Sequence, residues 1–274
     1  MVDAFVVRIA SWAAWSPELS SRADWQAWHT LNDQGVKNEA PKGTESSGAL
    51  NLSSFPAMLR RRLSPMGKAA VHALLEVLAP LPEDQRVMPA VFCSHYGEVA
   101  RSSHLLACVA ADESLSPTDF SLSVHNAVAG VYSIGSHNPS SITAISAGEG
   151  GLNMALLEAA AMLSDGVSPR VLCVLSDEPL PAPYPLHTNQ YRFPYAIALV
   201  LESAECPTTD EHGALVRVSL RPRDIASQMR SSQEQGSQEE MPLGFVRFLL
   251  GDDDAKWQLR SGNSHWHYER FSRE

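Results

Sequence analysis

The chain has 274 residues, of which 44% are hydrophobic, and this is enough for one large domain or two small ones with a substantial core. Its formal net charge of −10 argues against nucleic acid or an anionic membrane as a partner, because both bind clustered Lys and Arg. The chain contains no uninterrupted apolar run of about 18 residues and no basic segment ahead of an N-terminal apolar stretch. We therefore expect a cytoplasmic protein.

Cysteine and histidine are scattered along the chain rather than clustered. Four cysteines lack Cys-x-x-Cys spacing, and Cys93 and Cys173 lie in apolar runs typical of reduced core residues. His265 and His267 could form a weak metal patch, but a solvated tail is the simpler interpretation. We expect neither a metal nor a cofactor. The dense basic run Arg60–Arg62 is interpreted as a solvated face, with docking of an acidic partner as the alternative.

Hydrophobic periodicity predicts strands and helices that alternate along the chain. Predicted strands occupy residues 4–10, 87–94, 142–145, 170–176, 195–202 and 213–220. Predicted helices occupy residues 17–29, 64–78, 98–111, part of 120–134, 152–163 and 242–250. Polar loops are predicted at 33–54, 177–187 and 221–240, and the last 24 residues are predicted to be a frayed or partner-dependent tail. This order favours an α/β fold with helices on the sheet faces, a largely parallel centre and antiparallel strands added late.

The most informative segment of the chain is Ser140–Asp165, in which the pattern predicts a short strand, a glycine-rich turn and an Ala/Leu-rich helix in succession. Such an elbow exposes the side chain at its tip beside the free N–H groups of a helix N-terminus, where many enzymes place a nucleophile. Here the tip carries Gly148 and Glu149, which supply no Ser, Cys or Thr. An independent hydrolase or acyltransferase using Ser94 and His95 is the alternative, although no Gly-x-Ser-x-Gly occurs.

Four segments, in a fixed order, resemble the N-terminal half of β-ketoacyl synthases, which have the thiolase fold. They are an arginine-rich helix entry, an Asn-x-x-Ala-Gly helix, the nucleophile strand with its elbow and helix, and the strand that follows. These segments are Arg60–Leu74, Ser123–Ile134, Ser141–Ala160 and Arg170–Tyr184. The resemblance covers roughly Phe5–Leu220. It implies a thiolase-like half with a mixed, mostly parallel five-stranded sheet and helices on both faces.

The chain departs from active ketosynthases at the elbow and in length. The cysteine position of the family falls on Gly148 or on Glu149, depending on the alignment, and neither can form an acyl thioester. The run Gly148–Leu152 is closer to the Gln-x-Gly-Gly-Leu elbow of chain-length factors, the inactive partners of polyketide ketosynthases. The catalytic histidine settings of the second thiolase half are missing. The chain is therefore similar to the half-length, chain-length-factor-like proteins of bacterial aryl polyene clusters.

This resemblance implies a domain division and a partner. Residues 1–220 would form the ketosynthase-like half, and residues 221–274 a polar linker, short helix and tail, in the same domain or dependent on a partner. The surface that a second half would bury needs a partner or a covering tail. The expected partner is a full-length ketosynthase, in a heterodimer or larger complex. Acyl carrier protein would bind through that ketosynthase, and the chain would be non-catalytic.

The resemblance also nominates residues for the acyl pocket or the interface. Strand residues Ile142 and Ile145 are expected to pair with the same strand of the partner. Glu149 either caps the helix N-terminus or faces the partner's acyl tunnel. Further candidates are Gly150 and Gly151 in the elbow, His125 and Asn126 ahead of the preceding helix, and Phe120, Tyr132 and Met154. For the last three, core packing is the default interpretation, and walling the partner's pocket is the alternative. A pure scaffold without influence on chain length is the competing function.

Overall fold

The computed structural model describes residues 4–33, 50–182, 184, 193–205, 213–222, 241–262 and 264–272. The strands are β1 Ala4–Trp15, β2 Ala90–Cys93, β3 Ile142–Ile145, β4 Arg170–Asp177, β5 Tyr195–Ser203, β6 Ala214–Pro222, β7 Lys256–Ser261 and β8 Ser264–Phe271. The α-helices are α1 Arg22–Asp33, α2 Ala57–Arg60, α3 Pro65–Leu78, α4 Val99–Ala110, α5 Pro117–Ser121, α6 Ala127–Ser136, α7 Gly151–Ser164 and α8 Leu243–Leu250. Short 3₁₀ turns occupy Glu83–Gln85 and Gly148–Gly150.

In the described part of the chain, the strands form one eight-stranded sheet in the order β3-β2-β4-β5-β1-β6-β8-β7. Strand β2 pairs in parallel with β3 and β4, and the five other pairings are antiparallel. The predicted α/β class and thiolase-like half are confirmed. The sheet nevertheless has more strands than the expected five, and parallel pairing is confined to one end of it. The parallel strands are those joined by helices, because a crossover is needed to return the chain in the same direction.

Local sequence explains where the helices begin. Helix α3 begins as predicted, with Pro65 in its first turn and the Ser64 hydroxyl accepting a 3.0 Å hydrogen bond from the Gly67 N–H group. Helix α1 begins at Arg22 rather than near residue 17. The reason is a reciprocal cap, in which the Asp24 carboxylate accepts from the Ser21 N–H at 2.8 Å and the Ser21 hydroxyl accepts from the Asp24 N–H.

Two hydrophobic cores lie on opposite faces of the sheet. The α3-side core contains most of α3, the buried face of α6 and alternate residues of the central strands. The elbow-side core contains the buried face of α7, the other set of strand residues and the aromatic side chains of α8, β7 and β8. Strand residues that alternate between the two cores, such as Leu172 and Cys173, follow the two-residue period of a strand buried on both faces.

The prediction of a frayed tail is wrong for the described residues after 255. Strand β8 pairs along its whole length with β6, and β7 pairs with β8 as a hairpin. Trp266 and Tyr268 alternate with polar residues, and only 8% and 0% of their surfaces are exposed. Helix α8, predicted at 242–250, packs Phe245 and Phe248 against Tyr268 in the same core. The chain's own C-terminal segment therefore closes the elbow-side core, which is the covering tail that the sequence left as one possibility.

Some predictions fall on residues that the structure does not describe. Most of the polar loop at 33–54 and most of the linker at 221–240 lie outside the described residues, as does Cys206. The division of the chain at residue 220 stays a prediction. In the described ranges, every helix is too short or too polar to cross a membrane.

Candidate functional site

The elbow joins β3 to α7 through a tight turn at Gly148. Gly148 has a φ of +55°, a left-handed conformation that costs an L-residue roughly 1–2 kcal/mol. A Cβ atom built on Gly148 would lie 3.7 Å from the Cε1 atom of His95, so space for a small side chain exists there. The turn therefore keeps the shape of a nucleophile elbow while Gly148 supplies no reactive atom.

The next three elbow residues are held against other parts of the chain. Glu149 is exposed, and its Oε2 atom accepts from the Gly262 N–H of the β7–β8 turn at 3.4 Å. Within the described residues, its side chain makes no capping hydrogen bond to α7. Gly151 allows close packing, since a Cβ there would lie 3.0 Å from the Cys93 sulfur. A Cβ on Gly150, which is buried, would lie 3.1 Å from the Ser261 hydroxyl.

Behind the elbow lies a cavity of about 10 Å³, which holds at most one water molecule and no acyl chain. Its lining residues are Cys93, His95, Gly148, Glu149, Gly151, Leu152, Leu175, Asp177, Tyr195 and Met241. Burial, together with the negative charge of Asp177, raises the pKa of the Cys93 thiol to about 12. A thiol with that pKa is protonated at neutral pH and is a poor nucleophile. The cavity thus offers neither room nor an activated group for acyl transfer.

A buried carboxylate, Asp177, lies at the carboxyl end of β4 and is 4% exposed. Its Oδ1 atom accepts from the Ser94 hydroxyl and from the His95 N–H, each at 2.8 Å. The Tyr96 N–H and the Tyr195 hydroxyl add longer contacts of 3.4 Å. Burial raises the pKa of Asp177 to about 7, even though these donors favour the charged form.

The contacts of Ser94 and His95 disfavour the hydrolase alternative. Ser94 is 6% exposed, and its hydroxyl donates to Asp177 and accepts from the Gly97 N–H at 2.8 Å. This places Ser94 in a structural turn. The His95 ring stacks on Tyr96 with centroids 4.1 Å apart, and burial lowers its pKa, an effect partly offset by Glu149. Within the described residues, no group of three or more His, Cys, Asp or Glu side chains is placed to hold a metal ion.

The outer edge of β3 is the second feature of the site. Strand β3 is an end strand of the sheet and pairs only with β2 among the described residues. Ile142 packs against the α3-side core and Ile145 against the elbow-side core, and both are half-buried. The Nε2 atom of His125 donates to the Ile145 carbonyl oxygen at 2.9 Å. The Thr143 hydroxyl donates to Glu158 of α7 at 3.1 Å. The strand is therefore held on its β2 side. Among the described residues no strand pairs with its other side, which leaves that side available to a further strand.

Six large apolar side chains are exposed on the helices and the connecting segment that precede and follow β3 in the chain, and we call the set the β3-edge surface. Its members are Leu106 (62%) and Val109 (59%) of α4, Phe120 (66%) of α5, Val124 (50%), Ile134 (62%) of α6 and Leu157 (38%) of α7. Between them they come from four helices and the segment that leads into α6. Two of these elements reach β3 directly, because His125, next to Val124, contacts Ile145 and Glu158, next to Leu157, contacts Thr143. Exposed apolar side chains beside an open strand edge are typical of a protein–protein contact.

The structure separates the predicted site residues into different settings. Tyr132 is 1% exposed and packs in the α3-side core, as core packing predicts. Met154 is half-buried against the elbow-side core. Phe120 is exposed, so core packing is wrong for it. Asn126 stands at the start of α6 with an exposed side chain and, in the described structure, makes no capping bond.

Sequence reasoning missed Asp177, although an acidic residue directly after a buried strand was a visible signal. Its partners Ser94, His95 and Tyr96 follow the neighbouring strand β2, and the carboxyl ends of parallel strands meet at one edge of a sheet. The sequence interpretation treated Asp177 as the first residue of a loop. Its burial depends on contacts across about 80 residues of chain, which no local pattern reveals.

The elbow, the mixed sheet and the open β3 edge are those of a thiolase-like half whose elbow carries Gly148 and Glu149 in place of a Ser, Cys or Thr. The family described as "Beta-ketoacyl synthase, N-terminal domain" matches residues 25–269, and the chain belongs to that family. The predicted resemblance to β-ketoacyl synthases is confirmed. A search of curated proteins gave no match.

Solved structures extend this relationship. The chain is similar to one in "Ketosynthase (ApeO) in Complex with its Chain Length Factor (ApeC) from Xenorhabdus doucetiae", with 26% identity, a TM-score of 0.72, and coverage of 97% of this chain and 100% of that chain. It shares the fold of a chain in "The ishigamide ketosynthase/chain length factor", at 14% identity and a TM-score of 0.67, covering 97% and 99%. It also shares the fold of a chain in "AntDE:AntF (apo): type II PKS acyl-carrier protein in complex with its ketosynthase bound to the hexaketide". The identity there is 12% and the TM-score 0.64, and the match covers 97% of this chain and 99% of that chain.

Proposed function

We propose that this chain is a non-catalytic subunit, of the chain-length-factor type, that pairs with a full-length ketosynthase. The observation that carries this proposal is an elbow without a nucleophile together with an open strand edge, with exposed apolar side chains on the elements that precede and follow that strand. The elbow cavity of about 10 Å³ has no space for an acyl chain, so the growing chain belongs in the partner. The likeness to a chain of a ketosynthase–chain length factor complex supports the same assignment.

In this proposal, Ile142–Ile145 lies beside the equivalent strand of the ketosynthase, and the β3-edge surface packs on that subunit. The partner supplies the nucleophile and catalyses decarboxylative condensation of malonyl units carried by acyl carrier protein. This chain stabilises the partner and contributes to the wall of its acyl pocket. Phe120 is the best candidate for that wall, because it is a large side chain that no neighbour buries in the described structure. Aryl polyene assembly is the proposed pathway class.

A scaffold without influence on product length is the second candidate, because the same open edge would serve it equally well. The two candidates differ in what Phe120→Ala does. A pocket-forming subunit should give longer products when this side chain is shortened, whereas a scaffold should leave the product distribution unchanged. Val167→Ala is a matched control, since Val167 is 86% exposed and lies outside the β3-edge surface.

The primary experiment is to purify the chain alone and together with its cognate ketosynthase. We expect a stable heteromeric complex by mass measurement, condensation by the complex, and no condensation by the isolated chain. Product length is then measured by mass spectrometry for the wild-type complex and the two variants. The proposal is overturned if the isolated chain condenses substrates, or if the ketosynthase is equally stable and equally length-selective without it.

A further inference from the structure

The buried carboxylate of Asp177 is connected to the open edge of β3 through one loop. Asp177 holds the backbone N–H groups of His95 and Tyr96 and the hydroxyl of Ser94. It thereby fixes the segment Ser94–Gly97, which links β2 to α4. A carboxylate that accepts two successive backbone N–H groups restrains the conformation of that backbone directly.

The same loop holds the carboxyl end of β3. The Ser94 N–H donates to the Ile145 carbonyl oxygen at 3.2 Å, and the Ser146 hydroxyl donates to the His95 carbonyl oxygen at 2.8 Å. The Ile145 oxygen also accepts from His125. The path from Asp177 to the strand edge therefore consists of two hydrogen-bonded steps, the first from Asp177 to the loop and the second from the loop to Ile145 and Ser146.

Burial of the Asp177 carboxylate lowers the stability of the fold, which argues for a role beyond packing. The carboxylate is almost fully buried and its pKa is raised, so the fold is less stable with the charged form than with the neutral one. Neutral residues could fill this position without burying a charge. A buried ion that is unfavourable for stability is understandable where it fixes a geometry that function needs.

We propose that Asp177 is a positioning residue for partner docking: it fixes the 94–97 loop and, through that loop, the end of β3 to which a ketosynthase strand is added. This role rests on the proposed function, because it concerns what holds the β3 edge in the shape that binds the ketosynthase. It also makes docking sensitive to pH, because protonation of the carboxyl replaces an acceptor by a donor facing N–H and O–H groups.

Other titratable groups surround Asp177, and a pH experiment must separate their effects. They come from the end of β2, the 94–97 loop, the residue before α4, β5, the elbow and the residues after β4. They are Cys93, His95, Tyr96, Glu98, Glu149, Glu178 and Tyr195. Comparison of each variant with the wild type against the same ketosynthase removes the titration of the partner.

The test compares Asp177→Asn with Glu178→Gln, which removes a charge one residue further along the chain. Binding of the cognate ketosynthase is measured by calorimetry between pH 6 and 8. We expect Asp177→Asn to weaken binding at pH 8 by about tenfold or more, as loss of hydrogen bonds to a charged group implies. Wild-type affinity should fall as the pH falls through about 7, where Asp177 takes up its proton, and the asparagine variant should lack this dependence. Glu178→Gln should keep wild-type affinity and its pH dependence.

A second pair of measurements keeps the idea testable if Asp177→Asn folds poorly. Ser146→Ala removes the contact between the loop and the elbow at an exposed side chain, and it should weaken binding without loss of fold. Hydrogen exchange on the isolated Ser146→Ala chain should show faster exchange at the Ser94 amide, which donates to Ile145, with unchanged exchange in α3.

The outcomes distinguish this inference from the proposed function. If the wild-type chain does not bind the ketosynthase, the proposed function fails, and the docking role of Asp177 fails with it. If the wild type binds and Asp177→Asn binds equally well at every pH, only the positioning role is overturned. Equal weakening by Glu178→Gln would also overturn it, since a general charge effect would then be sufficient.

Discussion

The hydroxyl group of Tyr268 in β8 donates to the side-chain oxygen of Asn153 in α7, and both side chains are fully buried. This contact joins the C-terminal hairpin to the helix that follows the elbow. Trp257 and Phe245 pack on the Tyr268 ring, with the Trp257 and Tyr268 centroids 4.9 Å apart. The elbow-side core is thereby closed by this chain itself.

Replacement of Tyr268 by Phe tests how much the hairpin contributes to the fold. The variant keeps the ring but leaves the Asn153 oxygen buried without this donor, at a cost of about 1–3 kcal/mol in the free energy of unfolding. Urea unfolding followed by fluorescence measures it. Tyr184→Phe is the control, because Tyr184 is 39% exposed and its loss should change stability by less than about 0.5 kcal/mol. Equal midpoints for Tyr268→Phe and the wild type would show that the hairpin contact does not stabilise the elbow helix.

Two glycine-to-alanine substitutions should change stability in opposite directions. Gly148→Ala forces an alanine into a conformation with a φ of +55° and should destabilise the chain by about 1–2 kcal/mol. Gly130 lies in α6 with open space around its Cα, so Gly130→Ala should stabilise it by about 0.5–1 kcal/mol. Thermal and chemical unfolding of the two variants gives both values. If Gly148→Ala left the free energy of unfolding unchanged, the elbow would have relaxed and would not keep the nucleophile-type turn.

The features predicted well from sequence are those encoded locally. The elbow strand, the glycine turn and helix α7 come from one continuous segment with strong turn and helix signals. The capped start of α3 at Ser64 is equally local. The order of segments also indicated a thiolase-like half, because each segment keeps its place along the chain.

The missed features depend on contacts between distant parts of the chain. Strand β8 contains two His residues, a Glu and an Arg beside Trp266 and Tyr268, so its composition resembles a solvated tail until its pairing with β6 is known. The same residues form a strand here because the elbow-side core covers every second side chain, and that contact is not visible in the local sequence. Phe120 is the converse case, since a large apolar residue is expected in a core and here lies on the surface.

The contribution of Asp177 and Glu178 to the stability of the isolated chain should decrease as the pH rises from about 4 to about 7. Burial raises the pKa of Asp177 from 3.8 to about 7, and burial together with Glu98 raises the pKa of Glu178 from 4.5 to about 7. The folded state therefore binds more protons than the unfolded state in this window, and the free energy of unfolding falls as these protons are lost. Above about pH 7 both carboxyls are ionised in both states, and their contribution to the slope ends. Urea unfolding at several pH values measures the dependence.

Asp177→Asn should make the free energy of unfolding depend less on pH between about 4 and 7. Glu178→Gln should do the same independently. The asparagine variant should approach or exceed the stability of the wild type at pH 8, because it does not bury a charge. Stability and partner affinity would then respond to Asp177→Asn in opposite directions at that pH. Equal slopes for the wild type and both variants between pH 4 and 7 would contradict the raised pKa of both groups.

Phe120→Asp should weaken association with the ketosynthase while the chain keeps its fold. Phe120 is 66% exposed on α5, and Arg101 holds this helix in place by pairing with the adjacent Asp119 at 2.8 Å. An aromatic anchor buried at the centre of an interface commonly contributes about 2 kcal/mol or more, so a loss of affinity of at least about tenfold is expected. Val167→Asp places the same charge on a more exposed valine outside the β3-edge surface and should bind normally. Binding is measured by calorimetry and folding by circular dichroism. If the two aspartate variants bind with the same affinity, α5 does not lie in the contact, and the partner must approach β3 from another side.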